Sequence, residues 1–323
     1  MTTRDKASRL PRSDASPEVC VIVLFWDNPR ETVKCLDSLI RQDYPKLKIV
    51  VVNNGSDPYS VKTVTDWLES NEVRQMISFE ANENIASSVI FTRSEDVCAS
   101  EDAAFDTPDD EVVVVSSSFN RGYAGGMNLG VTFCLQTFRP EYFILANNDT
   151  AADVCLVSEL VSKIEDEPEI GAAGPTIDWT SEVSRLHPSS RVKKSTTPVD
   201  QNIPGCFFIV RAGALRAIDG FDEDFFIFFE ETDMFDRLRK RGYRVAYMPT
   251  RARVEHLSSM TVSTIGDKSA FHLGRSSMLY WRKQHSLVFS KFLVSAMIDH
   301  LIRKHNIRSI QAMIKGAVNG LRH

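Results

Sequence analysis

The sequence predicts an α/β fold with a mostly parallel central sheet flanked by helices, plus a C-terminal helical extension. Residues 19–25 form an unbroken apolar run, as a strand buried on both faces requires. A helical pattern follows and leads to a second apolar run over residues 49–52. Strand, helix and strand at this spacing make a βαβ unit, whose strands run parallel because the crossover returns the chain to the same edge. The length of 323 residues, with 43% hydrophobic and 25% charged content, is enough to bury a sizeable core.

The elements follow in order. Residues 1–18 are polar and read as a flexible arm, with no apolar stretch of the kind that opens a secretory signal. Asn28-Pro29-Arg30-Glu31 reads as a helix start, in which Asn28 caps, Pro29 takes the first helical position and Glu31 closes a capping box. Val33, Leu36, Leu39 and Ile40 supply its buried stripe, and the helix stops before Pro45. The second strand ends in the turn formers Asn53-Asn54-Gly55-Ser56-Asp57. Residues 61–79 read as a helix and a short strand. Between Glu80 and Glu111 stand ten acids and one arginine without clear periodicity, so a long solvated insertion, a surface loop or a lid, is expected there.

Residues 112–115 resume the sheet, and a glycine-rich turn at 120–128 leads to a helix that begins with Leu129, Phe133 and Leu135. The next strand, residues 142–146, delivers Asn147-Asn148-Asp149 at its carboxyl end, the edge where α/β sheets bind ligands. Leu156, Val157, Leu160, Val161 and Ile164 then make a helical face. Residues 178–203 read as a loop, 206–210 as a strand, and 225–229 as an aromatic run into Glu230. A helix is expected over 232–241, with Met234 and Leu238 inward and Gly242 as its C-terminal stop. A last strand at 245–248 precedes His256.

Charge is unevenly distributed. The net charge of -5 argues against nucleic acid as the main partner. Yet residues 282–323 hold eight Lys/Arg and one Asp, so the first 281 carry 30 bases against 42 acids. In that tail Val288, Phe289, Phe292, Leu293 and Met297, then Leu301, Ile302, Ile307, Ile310 and Ile314, give helical faces with basic residues between them. Such a segment either lies on an anionic membrane as a peripheral contact or packs on the body or on another subunit of a homo-oligomer. Its apolar stretch near residues 287–298 is too short to span a bilayer, so a cytoplasmic protein, at most at the inner face of the membrane, is expected. The six cysteines form no CxxC pair and read as reduced and structural.

Four features carry chemistry. Asp149 at a strand end can hold a hard divalent cation, Mg²⁺ or Mn²⁺, against a diphosphate; a turn that merely closes the strand would leave the same triplet. Glu231 at a helix start can act as a general base on a hydroxyl, with the helix dipole favouring its charged form. First-turn acids that only complement the dipole would look alike. The glycines Gly122, Gly125 and Gly126 permit close backbone approach to a ligand, and Asn120 and Asn128 offer amide hydrogen bonds. His256 is either structural or a ligand.

The order of these features is specific. Residues 21–56, through Leu24-Phe25-Trp26-Asp27, Tyr44-Pro45 and Asn53-Asn54-Gly55-Ser56, resemble the opening of family 2 glycosyltransferases, and the rhamnosyltransferase-like branch in particular. The resemblance continues through 120–130, Asn147–Asp149, Gly205, Gly220-Phe221-Asp222-Glu223, Glu230–Asp233 with Arg237, and His256, covering residues 19–282. It implies a GT-A fold over 19–281, with a donor half at 19–150 and an acceptor half at 151–281, followed by the basic amphipathic tail at 282–323. It implies an inverting transfer of a sugar, rhamnose being the one this branch suggests, from a dTDP- or UDP-sugar to a glycan or lipid-linked acceptor.

The resemblance also distributes roles. Trp26, Asn53, Asn120, Gly125, Gly126, Asn128, Asn147 and Asn148 fall on donor-binding positions, Glu230 on an acceptor-binding one, Asp149 and His256 on the metal or diphosphate site, and Glu231 on the base. Asn53 stands where relatives carry a base-recognising Asp, Asn147 replaces the first acid of the metal triplet, and Glu231 is one methylene longer than the usual Asp. Those departures keep open a catalytically degenerate protein that only binds a nucleotide sugar. A nucleotidyltransferase is the third reading, but residues 26–30 lack the glycine-rich basic loop it would need.

Overall fold

The computed structural model describes residues 16–70, 76–80, 112–179, 197–256, 267–284, 293–294, 296–298 and 307–322. The arm before residue 16, the insertion after residue 80 and most of the 178–203 loop lie outside these.

A nine-stranded sheet runs in the order β3-β4-β2-β1-β5-β10-β7-β11-β9. Its strands are β1 (Val19–Phe25), β2 (Leu47–Asn54), β3 (Met76–Glu80), β4 (Val112–Ser117), β5 (Tyr142–Asn147), β7 (Ile170–Gly174), β9 (Val199–Asp200), β10 (Phe207–Arg211) and β11 (Arg244–Tyr247). The first five in spatial order are parallel, while β10 and β9 pair antiparallel with their neighbours. A small second sheet joins β6 (Thr150–Ala152), β12 (Arg253–His256) and β8 (Thr176–Trp179) in the order β6-β12-β8. The pattern of residues 176–179 gave no sign of β8, because its side chains are half-buried or exposed rather than alternating.

Both faces of the large sheet are covered. On one side Val19, Val21, Val23 and Phe25 of β1 pack under α1 (Pro29–Ile40), α2 (Pro58–Ser70) and α4 (Leu156–Glu165). On the other, Cys20 and Ile22 meet α3 (Gly122–Thr137), α5 (Ala212–Arg216) and α6 (Glu230–Lys240). Period-two alternation along a doubly covered strand explains why β1 reads as a continuous apolar run.

Two helix starts differ from expectation. Asn28 makes no side-chain cap and sits in the left-handed region at φ 53, next to Asp27 at φ 54, so no capping box forms. The backbone there bends sharply to carry residues 26–28 over the sheet edge, and the Thr32 hydroxyl donates to the Asn28 carbonyl instead. The glycine-rich segment is the first turns of α3 rather than a turn before it. A Cβ at Gly126 would lie 2.4 Å from Leu24 Cδ1, and one at Gly130 2.6 Å from Ile22 Cγ2, so these glycines let α3 sit directly on β1 and β2.

Among the described residues two long helices follow β12, α7 (Asp267–Gln284) and α8 (Ile307–Arg322). The expected boundary at 282 falls inside α7, and α8 packs along α7 rather than standing apart. Much of the expected tail face, residues 285–292 and 299–306, lies outside the described residues. Among the described residues no helix is long and apolar enough to cross a membrane.

Candidate functional site

The carboxyl edge of the parallel strands collects the first group of residues. Trp26 and Asp27 leave β1 there, Asn53 and Asn54 end β2 and Asn147 ends β5. Asn53 is buried; its Oδ1 accepts the Ser56 N–H at 3.0 Å and its amide donates to Ser116 Oγ at 3.4 Å. Asp27, which sequence reasoning gave no role, joins this edge: its N–H donates to Ser56 Oγ at 3.0 Å, and its carboxylate accepts the Asp57 N–H at 3.1 Å. Burial raises the Asp27 carboxyl above its ordinary range, while the Asp57 N–H pulls it down.

Asn120, Asn128 and Asn148 spend their amides on the protein itself. Asn120 Oδ1 accepts from Gly122 N–H at 2.8 Å and from the Asn54 amide at 3.1 Å. Asn128 is buried, donates to Phe221 O and Glu223 Oε1 at 2.9 Å each, and accepts the Phe221 N–H at 2.9 Å. Asn148 donates to Thr32 Oγ1 at 2.8 Å and to Asp27 O at 3.2 Å. These asparagines fix loops around the edge, and Gly126 faces the sheet. Gly125 is buried too, and a Cβ there would lie 2.9 Å from Arg121 Cβ and 3.4 Å from Glu223 Oε2.

Asp149 and His256, 107 positions apart, meet through the small sheet. Antiparallel pairing sets His256 opposite Thr150, and parallel pairing sets it beside Trp179. His256 Nε2 then lies 3.3 Å from Asp149 Oδ1, both side chains buried, and the Trp179 ring meets the imidazole edge-on at 5.0 Å. The 3.3 Å approach is an ion-pair distance without hydrogen-bond alignment, and Asp149 Oδ1 has no hydrogen bond among the described residues. A buried, unsatisfied carboxylate oxygen beside an imidazole fits a hard divalent cation. Among the described residues no cluster of three His, Cys, Asp or Glu could hold a metal alone, so a bound ligand's oxygens would complete the shell.

Glu230 and Glu231 open α6, two residues earlier than the expected start. Phe228 (φ 71) and Phe229 (φ 67) precede them in the left-handed region, a conformation costing about 1–3 kcal/mol per non-glycine residue. Helix α7 holds that bend. Phe229 stacks on Tyr280, Phe226 on His272, Ser276 Oγ donates to Ile227 O at 2.8 Å, and Lys283 bridges Asp222 and Asp224. Arg237, paired with the buried Asp233 at 2.6 Å, donates to Ile218 O and Gly220 O. No sequence signal marked α7 as a brace.

The Gly205-Cys206 segment neighbours both acidic groups. The Glu231 side chain lies against Gly205, where a Cβ would come within 3.0 Å of its Cγ. Cys206 O accepts the Asn147 N–H at 2.8 Å, two residues before Asp149. The Cys206 thiol, buried, feels both Asp149 and Glu231, and the Tyr123 hydroxyl, which donates to Gly205 O at 2.8 Å, feels Glu230, Glu231 and Asp149. Tyr123 and Gly205 were missed as partners because each is meaningful only through contacts distant in the chain, 82 residues from Tyr123 to Gly205 and a further 26 to Glu231.

Burial pushes the Glu230 carboxyl well above the carboxylate range, and the neighbouring Glu231 charge adds to the rise. Glu231 is raised as well, chiefly by burial; its own N–H and that of Thr232 pull it down but do not win. The helix start therefore does favour the charged form, as expected, yet desolvation outweighs it. A carboxyl raised in the folded state destabilises as pH climbs from its unfolded to its folded value. Glu230→Gln, which removes that cost, should raise Tm by a few degrees at pH 8 and by much less at pH 4, as read by calorimetry.

Comparison with known proteins places this geometry. The Glycosyl transferase family 2 pattern matches residues 20–91, which span β1, α1, β2 and α2. That stretch is similar to family 2 glycosyltransferases. The chain is 31% identical over 122 residues to an N-acetylglucosaminyl-diphospho-decaprenol L-rhamnosyltransferase of Mycobacterium tuberculosis, a rhamnosyltransferase-like match that spans 36% of this chain and 36% of that relative. The fold is GT-A. Similar solved structures include the mannosyltransferase PcManGT from Pyrobaculum calidifontis in complex with GDP-Man and Mn²⁺ (TM-score 0.53, 16% identity, 96% of this chain and 90% of that one). GalNAc-T7 with UDP, GalNAc and Mn²⁺ matches at TM-score 0.54 and 14% identity over 82% of this chain and 51% of that one. S. aureus TarS 1-349 matches at 0.52 and 14%, over 79% and 65%.

Proposed function

We propose that the protein is a metal-dependent, inverting glycosyltransferase that moves a sugar, rhamnose by its relative's name, from a dTDP- or UDP-sugar to a hydroxyl of a cell-surface glycan or lipid-linked acceptor. The observation that carries this is that Asp149 and Glu231 both act on the buried Cys206 thiol, with Glu231 packed on Gly205 and Asn147, two residues before Asp149, bonded to Cys206 O. Two carboxylates with separate neighbours can then serve two ends of one reacting centre. The donor half, about 19–150, supplies the base-binding edge through Trp26, Asn53 and Asp27, and the acceptor half, about 151–281, supplies Glu230 and Glu231.

Asp149 and His256 would hold Mg²⁺ or Mn²⁺, which when bound stabilises negative charge developing on the departing diphosphate. Asn147 and Asn148 set the height of Asp149 at the strand end. Glu231 accepts the acceptor hydroxyl's proton as that oxygen attacks the anomeric carbon, and a single displacement inverts configuration. A pKa raised by burial brings Glu231 nearer to the working pH, which suits a base that must also release the proton. Glu230, buried beside it with Oε2 making no hydrogen bond among the described residues, would bind an acceptor hydroxyl. Work at the cytoplasmic face of the membrane, where a lipid-linked acceptor sits, agrees with this reading. A degenerate binder remains the second reading, supported by Asn53, Asn147 and the longer acid at 231.

A thermal-shift screen of nucleoside diphosphates with Mg²⁺ and Mn²⁺ tests the donor site. A preferred diphosphate at a hundred times its Kd stabilises by about 2.7 kcal/mol through mass action. Asp149→Ala should erase the metal-dependent part of that shift; an unchanged shift would remove Asp149 from the site. Donor binding without transfer or hydrolysis under either metal would favour the degenerate reading.

A further inference from the structure

Helix α8 is amphipathic on three sides, and only one of them is used by the fold. Ser309, Met313, Gly316 and Gly320 are buried against α7. Opposite them, Ile307, Ile314, Val318 and Leu321 are 64%, 50%, 43% and 50% exposed. Their spacing of seven, four and three residues places them in one stripe along the helix. Arg308, Lys315 and Arg322, spaced by sevens and all exposed, form a second stripe directly beside the first. Residues 307–322 contain no Asp or Glu.

From this pairing we infer that the outward face of α8 docks on an anionic lipid surface. An apolar stripe flanked by cations, on a helix too polar to cross a bilayer, matches the acyl–headgroup boundary of such a surface: the apolar side chains enter it and the cations meet lipid phosphates. An antiparallel two-fold pairing of α8 with a second copy would cover the apolar stripe but lay each basic stripe along its twin. The acidic body, with 42 acids against 30 bases in residues 1–281, is repelled by the same surface, so docking presents one face only. The opposite side of α7 braces the bend at Phe228-Phe229, so the docked helix pair sits next to the segment that carries Glu231. This extends the proposed use of a lipid-linked acceptor and rests on that reading for its purpose only; binding itself is measured without donor or acceptor.

The experiment is co-sedimentation of the full chain with vesicles of phosphatidylcholine alone and with phosphatidylglycerol added, alongside sedimentation velocity without lipid. Binding to the anionic vesicles, little to the neutral ones, and loss of it at high salt is expected. Ile314→Asp with Val318→Asp should weaken partitioning at least about tenfold. Arg308→Glu, Lys315→Glu and Arg322→Glu together should weaken it by roughly a hundredfold. Both variants should keep the parent Tm, since all five side chains are exposed. Absence of binding to anionic vesicles, binding untouched by both variants, or an apolar variant that instead dissolves a dimer of the parent chain would overturn the inference. Vesicle binding with no sugar transfer would leave it standing and count against the proposed reaction alone.

Discussion

Glu231→Gln should lower kcat roughly 10²- to 10⁴-fold, the usual worth of a positioned general base, while donor affinity stays within about twofold. Gln has the length and shape of Glu, so the contact with Gly205 survives and only the proton acceptor is lost. Because the group acts in the reaction and not in donor binding, the loss falls on kcat rather than on the nucleotide-diphosphate thermal shift. The pH profile gives an independent check. Glu231 works as the carboxylate, so activity falls as pH drops through its folded-state pKa. That value is raised by burial, so the acid limb of kcat/KM should lie above the ordinary carboxylate range. A variant with parental kcat, or a limb that stays unchanged in Glu231→Gln, would assign the base elsewhere.

How much of this site the sequence held depends on how local each signal is. The strand ends were legible: Val19–Phe25 reads as a doubly buried strand and Asn147-Asn148-Asp149 as its neighbour's carboxyl end, because apolar runs and turn formers act over a few residues. Leu156 to Ile164 reads correctly because a 3.6-residue stripe survives any tertiary context, and all five expected positions are buried. Asn28 misleads for the opposite reason. Asn-Pro-x-Glu is a sound cap in isolation, but here the chain must turn over the sheet edge, and the turn wins at the cost of two left-handed residues. Of the glycines read as allowing ligand approach, Gly126 serves helix-on-sheet approach and Gly122 the close passage of Phe226, since a missing Cβ looks the same in each case.

The rest of the site was not legible, because it consists of register. Nothing near His256 tells that β12 will pair with β6 and bring the imidazole to Asp149; the pairing joins residues about a hundred positions apart. The same holds for Gly205, whose importance lies in what leans on it. The dipole argument for Glu231 had the right sign and the wrong outcome, because a sequence shows that a residue opens a helix but not how much protein covers it.

The largest structural effect is expected at Gly316. A Cβ there would stand 1.9 Å from the Phe271 carbonyl oxygen and 2.9 Å from the Arg275 nitrogen, and the matching position Gly274 would meet the Met313 carbonyl at 2.0 Å. Both obstacles are backbone, so no rotamer change relieves them and the two helices must separate. Gly316→Val should therefore cost about 3 kcal/mol, the upper end of overpacking penalties, and lower Tm by about 5–10 °C. The sign is informative, because glycine inside a helix is ordinarily a liability of about 0.5–1 kcal/mol relative to alanine. Gly213, at which a Cβ meets nothing within 4 Å, supplies the control: Gly213→Ala should gain stability rather than lose it. The consequence reaches the site. Helix α7 holds Phe229 through Tyr280 and Ile227 through Ser276, so loosening α8 from α7 frees the left-handed bend ahead of Glu231 to relax. Activity in Gly316→Val should then fall well below its folded fraction at temperatures where most of the chain is still folded, measured as kcat beside a melting curve. Parental Tm in that variant would mean that α8 does not pack as closely as its glycines require, and parental kcat with a lowered Tm would free the base's geometry from the helix pair.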